Sequence, residues 1–231
     1  MRDELGFPLE TASPVPVPAN TDRPPLSNSE LKDRFDNLVF SHSDTEVREG
    51  LIAADNASNL LLVLVDVSRP IMRFGIEERL APTHEGDEIA RRQFVGVLYA
   101  SLDALRKADT PDSQLALMAI LGHEYMHYRQ WVAAPPEHWR DFLPYEIGVD
   151  RKSSGECERE FLTELAGFTY ECQMLMDADI VELGVKDMCP LVGDRQAFAL
   201  ALVEYLSLGT PGQANPECLP HWGSAARWIY K

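Results

Sequence analysis

Thr110-Pro-Asp-Ser-Gln-Leu-Ala-Leu-Met-Ala-Ile-Leu-Gly-His123-Glu-Tyr-Met-His127-Tyr-Arg-Gln-Trp131 is the stretch on which the reading of this chain turns. Thr110 is a capping residue type, Pro111 suits the first helical position and Asp112 complements the helix dipole, so a helix starts here. Leu115, Met118, Leu121, Tyr125 and Met126 carry its apolar pattern to about Trp131, and Pro135-Pro136 prevents any continuation. Four residues advance a helix by about 400°, so His123 and His127 lie one turn apart on one face, where both imidazoles can address a single ion. Glu124, about 100° round from His123, stands beside such an ion rather than on it, the place for a base acting on a water at the metal.

With 6 His and 20 Glu among 231 residues, a shuffled chain contains about 0.013 such His-Glu-x-x-His motifs, so chance explains it poorly. Two hydrogen-bonded structural histidines are the bland alternative. That alternative leaves a polar trio among Ile120, Leu121, Tyr125 and Met126 with nothing to satisfy it. A tetrahedral ion needs further ligands, and the next helix supplies carboxylates. Ser153 followed by Glu156 is a capping-box pattern that starts a helix reaching about Met176. In it Glu156, Glu160, Glu164 and Glu171 fall near one stripe, beside an apolar stripe of Cys157, Phe161, Leu165, Phe168 and Cys172. Glu156, Glu158 and Glu171 read as a solvated acidic face. Glu160 and Glu164, among Leu162, Ala166 and Gly167, are the leading ligand candidates, ahead of Glu156 or another residue, with Gly167 permitting close approach of the two helices.

His123-Glu124-x-x-His127 followed by Glu160-x-x-x-Glu164 resembles the zincin metallopeptidases, and within them the compact gluzincins. The likeness runs from about Gln114 to Glu171. It implies an α+β domain, mostly helical with a small β-sheet, holding Zn2+ on His123, His127 and Glu160. By the same resemblance Glu164 hydrogen-bonds a ligand histidine, Glu124 is the catalytic general base and the substrate is a peptide or protein. Between Glu160 and Glu164 as third ligand, the resemblance favours Glu160. Tyr128, His138, Tyr145, Tyr170 and His221 are candidates for stabilising an oxyanion. Two other readings stand beside the peptidase: a non-haem iron oxygenase on a 2-His-1-carboxylate site, and a non-catalytic module stapled by its metal.

Working outward, Ala133–Arg151 has three prolines and three aromatics and reads as an irregular functional loop that gates the site. Upstream, Glu88–Lys107 reads as a core helix, Leu60–Val67 and Ile71–Ile76 as strands of a small sheet, Ser29–Phe40 as a short helix and the segment between as turns. An extended substrate would add to the edge presented by Ile71–Ile76. Downstream, Asp194–Leu208 reads as a helix, while Pro211–Lys231 shows no periodicity. Six prolines in the first 25 residues mark residues 1–26 as a flexible polyproline-like tail ahead of a single domain, 27–231.

The formal charge of −16 repels phosphate backbones, and no basic stripe interrupts it, so nucleic acid is not an expected partner. No apolar run approaches the roughly 18 to 20 residues of a membrane span. The four cysteines follow neither disulfide-scaffold nor metal-knuckle spacing, so they are expected reduced and buried in a cytoplasmic protein. The oligomeric state has no sequence signal.

Overall fold

The computed structural model describes residues 26–57, 59–66, 71–80, 92–134, 153–176, 185, 187–207 and 218–228. Along the chain run α1 (Asn28–Phe40), α2 (Thr45–Asn56), β1 (Leu60–Val65), β2 (Met72–Leu80), β3 (Arg92–Ser101), α3 (Leu102–Lys107), α4 (Pro111–Ala133), α5 (Ser154–Leu175), a 3-10 turn at Cys189–Leu191, α6 (Arg195–Ser207) and α7 (Leu219–Trp228). The described residues are thus mostly helical with one small sheet, an α+β arrangement. The proline-rich tail to residue 25 and residues 135–151 of the expected gating loop lie outside them.

The sheet has the order β1-β3-β2, with β1 parallel and β2 antiparallel to the central β3. Leu98 is flanked by Leu62 on one side and Phe74 on the other. One sheet face, carrying Leu60, Phe74, Ile76, Leu98 and Ala100, joins the core of α1, α2 and α4. Behind the sheet α4 packs on β2 and on α5, and α5 packs in turn on α7, which pairs with α6. His42, fully buried at the corner between α1 and α2, donates from Nε2 to the Met118 carbonyl at 3.0 Å and accepts the Asp44 amide on Nδ1 at 3.2 Å. It fastens that corner to α4.

Three segments depart from the sequence reading. Glu88–Lys107, expected as one helix, is β3 and only then the short α3. A central strand buried on both faces reads as an almost continuous apolar run, which mimics a buried helix. Val95, Val97, Leu98 and Ala100 all have at most 5 % exposure, and Gly96 disfavours helix in their midst. The segment expected as turns holds α2, capped by Asp44, whose Oδ1 accepts the Glu46 and Val47 amides at 2.8 and 3.3 Å. The aperiodic tail contains α7, which buries Trp222, Ala225 and Ala226.

The cysteines correct a fourth expectation. They are buried as expected but not reduced: Cys157 pairs with Cys218 and Cys172 with Cys189, leaving no free cysteine. Separations of 61 and 17 residues carry no recognisable motif, because tertiary packing of α5 on α7 and on the 3-10 turn brings the partners together. Closing such loops restrains the unfolded chain by about 3 to 4 kcal/mol each in the chain-entropy picture. Among the described residues, no helix is long and apolar enough to cross a membrane.

Candidate metal centre

α4 begins where Thr110 predicts. Its hydroxyl accepts the Ser113 amide at 3.1 Å while Ser113 Oγ accepts the Thr110 amide at 3.1 Å, and Pro111 occupies the first turn. Leu117, Ala119, Ile120, Leu121 and Tyr125 bury the helix deeply enough that His123 and His127 retain only 5 % and 8 % exposure. α5 begins with the expected reciprocal cap: Glu156 Oε2 accepts the Ser153 amide at 2.6 Å and Ser153 Oγ accepts the Glu156 amide at 3.3 Å.

Glycines let the two helices meet. A Cβ at Gly167 on α5 would lie 2.7 Å from the His123 ring, and one at Gly122 on α4 would lie 2.0 Å from the Tyr170 ring. Each glycine receives a ring from the opposite helix. Phe168 also packs edge-on against His123, with ring centroids 4.5 Å apart.

At this crossing His123, His127 and Glu164 form a group whose ligand atoms lie within 4.8 Å of one another. The two Nε2 atoms are 3.0 Å apart, and the Glu164 carboxylate lies 3.5 Å from His123 Nε2 and 3.8 Å from His127 Nε2. Ligands about 2.0–2.1 Å from a tetrahedral ion are separated by about 3.3 Å, so these edges bracket the fit for a zinc-sized cation. Glu160, expected as the third ligand, is not a member of this group. It lies one turn, about 6 Å of axial rise, before Glu164 on α5, and the crossing at Gly167 selects the later carboxylate.

Behind the group, His123 Nδ1–H donates to Glu171 Oε2 at 3.0 Å. That bond fixes the tautomer and turns the Nε2 lone pair of neutral His123 toward Glu164 and His127. Glu171 is 4 % exposed, not the solvated acid its spacing suggests. Seven residues from Glu164, it lies two turns along the same face. Glu171, rather than Glu164, is thus the carboxylate hydrogen-bonded to His123 Nδ1, and Glu164, rather than Glu160, is the one that lies with the two Nε2 atoms.

Glu124 faces the sheet. Phe74 of β2 wedges against Tyr128 and Trp131 of α4, with centroids 6.0 and 5.9 Å apart, and its amide donates to Glu124 Oε2 at 2.6 Å. Among the described residues β2 ends the sheet order, so this amide lies on the edge of β2 away from β3. No residue type advertises such a donor, since every residue but proline carries it.

Electrostatics at this crossing follow from burial opposed by neighbours. Burial pushes Glu124 up to about 7, against the pull of His123 and the Phe74 amide. Burial takes His127 down to about 4, although Glu164 opposes it. For His123, burial favours the neutral ring, but hydrogen bonds to Glu164 and Glu171 outweigh it and hold the group well above its ordinary range. Burial would raise Glu164 as well, yet His127, His123 and Arg73 bring it down to about 2.

Of the candidates for oxyanion stabilisation, Tyr170 donates its hydroxyl to Asp44 Oδ2 at 3.2 Å and Tyr128 stacks on Tyr125. His221 lies on α7, and His138 and Tyr145 fall outside the described residues. Compared with known protein families, curated proteins and solved structures, the chain matches none.

Proposed function

We propose that this chain is a zinc-dependent metallohydrolase with a zincin-like domain, acting on peptide bonds. The observation that carries the reading is the convergence of His123, His127 and Glu164 beside a half-buried Glu124 that is not itself in the ligand group. Two imidazoles and one carboxylate leave a position open for a reacting group, as in catalytic zinc sites. Zinc, when bound there, supplies Lewis acidity and acidifies water.

The chain's own residues supply the rest. With one carboxylate oxygen held by the Phe74 amide, Glu124 has the other available to accept a proton and return it to a leaving amine. Glu171 keeps His123 in one tautomer. Along the edge of β2 that has no partner strand among the described residues, the backbone on either side of Phe74 offers pairing groups to an extended peptide. A metal that merely stapled α4 to α5 would have no use for Glu124 in this place, and an iron oxygenase has no evident one.

Two disulfides support an oxidising compartment over the cytoplasm. A peptide library incubated with the zinc-loaded protein tests the function. Wild type is expected to cleave, and Glu124→Gln to retain zinc and fold while losing cleavage by at least a hundredfold; equal turnover by the two proteins contradicts the reading.

A further inference from the structure

Both disulfides include a cysteine of α5, and they bracket its two metal-centre carboxylates: Cys157 lies seven residues before Glu164, and Cys172 immediately follows Glu171. α4, which carries both histidines, has no cysteine. We propose that the Cys172–Cys189 disulfide is a redox control on the metal centre, and that its reduction weakens metal binding by loosening Glu171 from His123. The proposal rests on His123, His127 and Glu164 being a metal site.

Glu171 reaches His123 Nδ1 only while the last turn of α5 keeps its place, and α5 ends four residues later, at Leu175. Helix ends open most readily, so what tethers this one matters. Its covalent tether is the bond from Cys172 to Cys189, on a single 3-10 turn of three residues. Bonded sulfurs sit about 2.0 Å apart, whereas unbonded heavy atoms settle at about 3.5 to 4 Å. Cys172 is fully buried, so its sulfur has little free space in which to make that adjustment. The displacement is therefore shared between the short 3-10 turn and the α5 turn that carries Glu171.

The two disulfides differ in access. Cys157, Cys172 and Cys218 have 0 % exposure, and Cys189 retains 7 %. A dithiol reductant therefore approaches at Cys189. Its thiolate attacks Cys189 Sγ, the S–S bond breaks, and Cys172 leaves as a thiolate that takes up a proton. The second thiol of the reductant resolves the mixed disulfide and leaves Cys189 as a thiol. Two electrons and two protons pass to the protein, and the reductant becomes a disulfide.

Zinc affinity of the full chain, measured by competition with a fluorescent chelator, tests this without reference to turnover. Treatment with tris(carboxyethyl)phosphine, a reductant that does not offer thiols to zinc, is expected to weaken binding at least tenfold, in the range seen when a histidine-orienting partner is lost. The double variant Cys172→Ala/Cys189→Ala is expected to show the weakened affinity without reductant and to respond no further. Glu171→Gln is expected to remove most of the difference between oxidised and reduced protein. Should the double variant fold poorly, native mass spectrometry of wild type during graded reduction provides the same reading, with zinc loss expected to follow the first two-hydrogen mass gain. Equal zinc affinity before and after reduction of Cys172–Cys189 overturns the proposal. Failure of the oxidised wild type to bind zinc at all overturns the metal-site reading beneath it.

Discussion

α4 and α5 hold the two halves of the centre by different means. The histidines of α4 owe their mutual placement to one turn of a single capped helix, which would put them together in an isolated peptide that folded helically. The carboxylates of α5 reach the same point only through the crossing at Gly122 and Gly167 and the tethering of α5 to the C-terminal elements by two disulfides. One half is local geometry and the other is tertiary packing. The first should therefore survive perturbations that scatter the second.

The most disruptive test removes the local half. His123→Ala or His127→Ala is expected to weaken zinc binding by at least a hundredfold and to abolish the zinc-induced rise in melting temperature, since a ligand stabilises only by binding the folded state. Retention of wild-type affinity by both variants would show that the centre lies elsewhere. Breaking the crossing comes next. Gly122→Ala places a methyl group on the Tyr170 ring, and a loss of about 2 to 3 kcal/mol in urea unfolding is expected. Gly167→Ala, against the His123 ring, should cost zinc affinity as well as stability. A more stable Gly122→Ala protein would mean that the helices do not meet as described.

Replacing single carboxylates sharpens the comparison. Glu164→Ala is expected to approach the histidine variants in zinc affinity, Glu171→Gln to lose about 10- to 100-fold, and Glu160→Ala to stay close to wild type. The reverse order for Glu160 and Glu164 would restore the ligand assignment that the family resemblance favours.

The smallest effect is a pH signature of the metal-free protein. Glu124, raised from an ordinary 4.5 to about 7, favours its neutral form in the fold. Its contribution to stability is thus full below about pH 4.5 and lost as pH rises through 7. His127, lowered from 6.5 to about 4, runs the other way: its contribution is present above 6.5 and lost as pH falls through 4. Glu124→Gln should therefore gain on wild type between pH 4.5 and 7, by roughly 3 kcal/mol at most. Urea unfolding across that range checks it, and a constant difference between the two proteins would contradict the raised pKa of Glu124.

The same division explains what the sequence makes legible. The placing of His123 and His127 one turn apart on a helix, the start of α4 and the cap of α5 all rest on contacts within a few residues, and these elements form where the sequence puts them. Gly167 as a point of close approach is also readable, because a glycine amid helix formers signals a neighbour. That Glu164 rather than Glu160 lies against the two histidines is not, since either turn of α5 satisfies the same stripe and only the crossing chooses between them. Glu171 carries a faint signal in its seven-residue spacing from Glu164. The strand β3 is misread for a related reason: an apolar run buried on both faces has no period to betray it. Disulfide pairing and the Phe74 amide bond depend on distant packing and leave no local trace.

The metal content of the protein, purified without chelator or metal-binding tag and measured by plasma mass spectrometry, tests the central claim most directly. About one zinc per chain is the predicted result. A chain that holds no metal even after zinc is supplied would contradict the account.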